Sequence, residues 1–99
     1  MLLIVGTIRL PAERWPEALP AMEAMILASR AEAGCIDYVY AADLLDPGLV
    51  HVKERWADRP SLDAHFRSAH IAAWRAAWPK LGIGDRNLQL FEVGDPEVI

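Results

Sequence analysis

Two apolar periodicities alternate along this chain, and their order leaves few folds open. Leu2 to Leu10 sets a fully apolar series (Leu2, Ile4, Gly6, Ile8, Leu10) against a mixed one (Leu3, Val5, Thr7, Arg9), the period-two pattern of a strand with unequal faces. Pro11 ends it. From Glu13 to Ala33 the apolar positions Leu19, Met22, Met25 or Ile26, and Ser29 recur at three- and four-residue steps, which is helical spacing. Pro16 suits a first turn, whereas Pro20 falls deeper, so the regular helix is predicted between about Pro20 and Ala33, with Gly34 at the C-cap. Cys35 to Asp43 alternates again, with Ile36, Tyr38, Tyr40 and Ala42 on one face and Cys35, Asp37, Val39 and Ala41 on the other. Asp46, Pro47 and Gly48 carry turn chemistry, and Leu49 to Trp56 returns as the partner strand of a hairpin. Its two faces are Val50, Val52, Glu54 and Trp56 against His51, Lys53 and Arg55. Asp58 can cap a second helix running to Trp78, with a break near Ser68, where Pro79 and Gly82 stop it. Leu88 to Val93 reads as the last strand.

Strand, helix, strand, strand, helix, strand is the order of an α+β, ferredoxin-like βαββαβ domain: a four-stranded antiparallel sheet with both helices on one face. One such domain is expected over residues 1–94, with a tail over 95–99. The opposite face of the sheet carries Val5, Val39 and Phe91, too apolar for water over so large a patch. A homodimer covering that face is expected.

Composition narrows the function classes. At 99 residues the chain supports one core but not a deep one, so any ligand cavity competes with the core for apolar side chains. Fourteen acidic against ten basic residues give a net charge of -4, and no basic run exceeds two residues, so nucleic acid and anionic lipid are not expected partners. The apolar amino terminus lacks a basic n-region, and no stretch approaches the roughly 18 uninterrupted apolar residues of a membrane span. A single cysteine, Cys35, allows no disulfide within the chain, and a cytoplasmic location is the simplest expectation.

Two polar residues fall on faces that are otherwise apolar. Glu54 lies between Val52 and Trp56, and His70 lies between Phe66 and Trp74 on a stripe expected to face the sheet. If both face inward, they converge on one cavity, where an imidazole next to a carboxylate can accept a proton near neutral pH. The same positions also suit a space-filling histidine bonded to a carbonyl and a carboxylate paired with Arg55, Arg67 or Arg75. Trp56, Trp74 and Trp78 with Tyr38, Tyr40 and Phe66 either pack as core or line a pocket for a flat ligand. His65 and His70 are five residues apart, about 140° around a continuous helix, which is not metal-ligand spacing. No glycine-rich phosphate loop and no Gly-x-Ser-x-Gly elbow occur. Neither a metal nor a cofactor is expected, and any chemistry must draw on the reactivity of the substrate.

Glu32-Ala33-Gly34-Cys35, Tyr38, Asp46-Pro47, Glu54-Arg55-Trp56-Ala57-Asp58-Arg59, Leu62, Ala64-His65 and Ser68-Ala69-His70 together resemble the antibiotic biosynthesis monooxygenase domain. Ala33 departs from the proline usual before Gly-Cys in that family. The resemblance implies a dimeric α+β barrel with a pocket between sheet and helices. It also implies oxidation of quinols or anthrone-like aromatics by O₂ without metal or flavin. Carried over, Trp56 would line the pocket and His70 would accept the proton, with Tyr38, Glu54, Phe66 and Trp74 around the substrate. A haem-degrading branch uses an Asn on the first strand, and none stands there. Three functions fit: cofactor-free monooxygenation of a small aromatic molecule, isomerisation or other proton transfer on a small carbonyl compound, and non-catalytic ligand binding by a dimer. Room for two or three fused rings would favour the first, a small polar pocket with Glu54 and His70 both exposed in it the second, and a space filled by Trp56 and Trp74 with no perturbed acid or base the third.

Overall fold

In the computed structural model, which describes all 99 residues, the chain forms β1 (Leu2–Arg9), a 3₁₀ turn (Ala12–Arg14), α1 (Trp15–Arg30), β2 (Cys35–Ala42), β3 (Leu49–Trp56), α2 (Arg59–Phe66), α3 (Ala69–Leu81) and β4 (Gly84–Glu92). The four strands make one antiparallel sheet in the order β2-β3-β1-β4. The ferredoxin-like α+β architecture expected from the alternating periodicities is therefore the one observed. Register places Ile4, Tyr38, Glu54 and Leu90 on one face, where the core forms against Met22, Met25, Leu62, Ile71 and Trp74 of the helices. Leu3, Val5, Val39 and Phe91 lie on the other face, as the alternation requires, and Phe91 is 46% exposed there.

Four boundaries depart from the sequence reading. Helix α1 begins at Trp15 and runs through Pro20. That proline deletes one hydrogen bond, to the Pro16 carbonyl, and sits on the exposed side, where water can satisfy the freed oxygen. The helix also stops earlier, at Arg30, so Gly34 closes a separate turn instead of the helix itself. A Cβ on Gly34 would meet Ser61 Oγ at 2.1 Å, and its φ is +81°; only glycine lets this turn press against α2. Helix α3 extends past Pro79 to Leu81, ending on Gly82 in the left-handed conformation. Strand β4 starts at Gly84 instead of Leu88, because backbone pairing with β1 carries the polar Asp85-Arg86-Asn87 segment along an edge that needs no apolar side chains.

Strand β2 carries a bulge. Cys35 pairs with Trp56 and Asp37 with Arg55, so two residues, Ile36 and Asp37, stand against one. Cys35 thereby joins the core side and Ile36 is left 48% exposed, the reverse of the faces expected from unbroken alternation.

Candidate active site

The second helical segment is two helices, and the break decides which histidine faces the sheet. Asp58 caps α2, its carboxylate accepting from the Ser61 N–H at 2.9 Å, and Ser68 caps α3 by accepting from the Ile71 N–H. A cap at Ser68 restarts the helical register. The stripe Phe66, His70, Trp74 therefore does not run on as one face. In α2 the inward positions are Leu62 and His65, three residues apart and both buried; in α3 they are Ile71 and Trp74.

His65 rests between Tyr38 and Trp56, its ring centre 5.4 Å from the first and 4.6 Å from the second. Its Nδ1 is 3.0 Å from Glu32 Oε1, and its Nε2 is 3.9 Å from Glu54 Oε1. His70, partly exposed on the far side, bonds the same Glu32 oxygen through Nε2. A carboxylate only accepts, so both rings donate to Glu32. That fixes His65 as the tautomer with Nδ1 protonated and leaves the Nε2 lone pair directed toward Glu54.

Glu54 is buried on the core side of β3, as the alternation predicts, and accepts the indole N–H of Trp56 at 3.0 Å. Burial raises the Glu54 carboxyl above its ordinary range, and burial lowers the His65 imidazole. Their proton affinities are driven toward each other, the condition for a proton to pass between such groups or through a ligand placed between them.

These groups open onto a cavity of about 110 Å³ lined by Tyr38, Tyr40, Glu54, His65, Phe66 and Trp74, with Arg75, Trp78 and Arg86 also in its wall. Tyr38 and Tyr40 stack with ring centres 5.8 Å apart, and the Trp74 indole donates to the Tyr40 hydroxyl at 3.3 Å. Burial lifts both phenols above their usual range, Tyr38 the further, so they stay protonated.

Four of the six residues expected at the site, Tyr38, Glu54, Phe66 and Trp74, line this cavity. Trp56 does not; it is completely buried behind Glu54 and His65 and holds the carboxyl in place. His70 is outside as well, linked to the cavity only through Glu32 and His65. His65, in the cavity wall, and Glu32, bonded to it, were not among those six residues. The Asp58 cap followed by Leu62 and His65 at one helical step was the available signal for the first, and Glu32 had none beyond its place in the turn.

The helix break also brings His65 and His70 together, with ring centres 6.0 Å apart, although 140° would separate them on one continuous helix. Glu32, His65 and His70 each offer a donor atom, all within 4.8 Å of one another. Two imidazoles and a carboxylate could hold a divalent transition metal; here the carboxylate is engaged by the ring N–H groups.

Residues 1–77 match the family described as antibiotic biosynthesis monooxygenase. A solved structure from Deinococcus radiodurans superposes with a TM-score of 0.90 at 24% identity, over 100% of this chain and 98% of that one. Another, from Mycobacterium tuberculosis, gives a TM-score of 0.79 at 26% identity, over 99% and 100%. A protein of Synechocystis sp. is 21% identical over 98 residues, covering 99% of this chain and 67% of its own length.

Proposed function

The chain belongs to the antibiotic biosynthesis monooxygenase family, and on that premise we propose that it oxidises a small, single-ring quinol with O₂, using His65 to remove the first proton. The observation that carries this reading is the Glu32–His65 pair, with a protonated Nδ1 anchored on the carboxylate and Nε2 free at the cavity. Deprotonation of a ring hydroxyl makes the substrate an electron-rich anion. That anion passes an electron to O₂, the resulting radical pair forms a C–O bond, and loss of water from the hydroperoxide leaves a hydroxyquinone. The sum is quinol plus O₂ giving hydroxyquinone plus water, so the two substrate hydrogens leave in the water.

At about 110 Å³ the cavity is smaller than the roughly 150 Å³ that encloses benzene, so it takes one ring only in part, with the substituents at the open mouth, and is too small for fused rings. Trp56 acts as a positioning residue through Glu54, and His70 acts through Glu32. The same proton transfer without O₂ would isomerise a small hydroxycarbonyl compound, and the small polar cavity favours that as the second reading. The apolar outer face of the sheet supports a homodimer, and the lone Cys35, a thiol, suits a reducing cytoplasm.

The test is O₂ uptake with 1,4-hydroquinone. His65→Ala is expected to lose roughly a hundredfold or more of the rate, the scale of a general base. Undiminished uptake by His65→Ala would overturn the assignment. Turnover of a hydroxycarbonyl substrate under argon, with no O₂ uptake in air, would favour the isomerase.

A further inference from the structure

Cationic groups are distributed unevenly over this molecule. Arg9, Arg14, Arg55 and Arg59 each stand within 4 Å of a carboxylate. Arg30, Arg67, Arg75 of α3, Lys80 and Arg86 of β4 have no such partner, and of these five only Arg75 and Arg86 line the cavity. The Arg75 guanidinium lies 5.1 Å over the Trp78 ring, which fixes its position at the wall. Trp78 belongs to the same wall, and its indole N–H is buried with no acceptor. In a chain of net charge -4, two guanidinium groups with no carboxylate partner thus meet at the wall of one small cavity. Both guanidinium groups are exposed and solvated, so an anionic oxygen group at the mouth would replace water on two charged donors at once.

We infer that the substrate carries a carboxylate, bound by Arg75 and Arg86 at the mouth while the reactive hydroxyl faces His65. The inference rests on the reading of this cavity as the substrate site. A planar carboxylate matches the guanidinium fork, and on a single ring it is small enough to be held at the mouth. The two charges have a further use in the proposed chemistry: they stabilise the second negative charge that forms when the ring hydroxyl loses its proton. Their attraction also reaches Glu54, favouring its ionised form against the effect of burial. An anionic ligand screens that attraction, so its arrival returns Glu54 toward the neutral state.

Isothermal titration calorimetry of the full chain with 2,5-dihydroxybenzoate and with 1,4-hydroquinone tests this directly, since the two differ only in the carboxylate. The acid is expected to bind at least tenfold more tightly, and its affinity should fall as ionic strength rises. Arg75→Gln and Arg86→Gln should each narrow the preference, and the double variant should abolish it, while Arg59→Gln on the surface retains it. Equal affinity for the two ligands, binding of neither at millimolar concentration, or a preference that survives the double variant would overturn the inference. Binding is read without turnover, so the outcomes separate: a preference with no O₂ uptake defeats the oxidase reading alone, and uptake without a preference defeats this inference alone.

Discussion

The imidazole Nδ1 of His65 sits 3.0 Å from Glu32 Oε1, and the opposite nitrogen of the ring faces Glu54 at 3.9 Å. One carboxylate therefore orients the ring and a second waits across the cavity. Glu32→Gln keeps the volume but removes the charge that stabilises the imidazolium formed in turnover. The kcat for hydroquinone oxidation is expected to fall roughly tenfold to a hundredfold, with the acid limb of the pH profile moving to lower pH because the protonated ring has lost its anion. Glu32→Asp should recover part of the rate. A purely structural Glu32 would leave the pH profile where it is, and that result would remove it from the mechanism.

Acid should impair both activity and stability, through the same residue. Burial lowers the His65 pKa from its ordinary 6.5, so the ring is neutral at pH 7 and competent as a base. Protonation disables it. The rate is thus expected to be level around neutral pH and to decline at a pH below 6.5. For stability the sign follows from linkage: with the folded pKa depressed, this contribution is fully present above 6.5 and is lost as pH falls from there through the folded value. Thermal unfolding at pH 8 and pH 5 should show a smaller drop for His65→Gln than for the wild type, and equal drops would contradict this assignment.

The sheet was legible because its strands pair one apolar face against one mixed face, and the period of two survives any uncertainty about ends. Glu54 and Tyr38 were placed on the cavity side by that rule alone, and register confirms both. The same rule misplaced Cys35 and Ile36, since a bulge shifts the alternation by one residue and leaves no mark in residue type. His70 was misplaced for a related reason. Its stripe assumed that helical phase continues through Ser68, but a serine cap lets the chain restart with a new phase. Glu32 could not be located at all from pattern, because it lies in the turn between α1 and β2, where there is no period to read. Its role depends on a contact across 33 residues.

Glu54 should be retained at a cost in stability. Burial raises its pKa, so the folded state favours the protonated form; that contribution is present below 4.5 and is lost as pH rises through the folded value. At pH 8 the carboxylate therefore weighs against folding. Glu54→Gln stays neutral and can still accept the Trp56 N–H. Its melting temperature is expected to exceed that of the wild type by a few degrees at pH 8, with the gap closing below pH 4.5, while activity drops. A variant less stable than the wild type at pH 8 would mean that the ionised group is held by more than its burial implies.

Metal addition separates two uses of one cluster. If Glu32 works as the acceptor for both imidazoles, then Zn²⁺ taken up by Glu32, His65 and His70 would displace both ring N–H bonds and remove the free base. Inhibition by micromolar Zn²⁺ is expected, reversed by EDTA, with EDTA alone leaving the rate unchanged. Activity lost on dialysis against EDTA and restored by one divalent ion would transfer the role of the cluster to the metal.

The outer face of the sheet makes the last prediction. Leu3, Val5 and Val39 are half-buried there and Phe91 is exposed, while Asp37 holds Lys53 and Arg55 beside them through bridges of 2.9 and 3.4 Å. Because those cations are already paired, covering the face with a second copy adds no unpaired charge to its interior, and the apolar residues supply the gain. Sedimentation at micromolar concentration is expected to give twice the 11.0 kDa chain mass. Val5→Lys places a charge on the central strand of the patch, beside Lys53 across β3, and should yield monomers. It leaves the helix side untouched, so the binding of 2,5-dihydroxybenzoate measured on that variant decides whether the cavity needs the second copy. A wild-type chain that sediments at a single chain mass would reject the dimer outright.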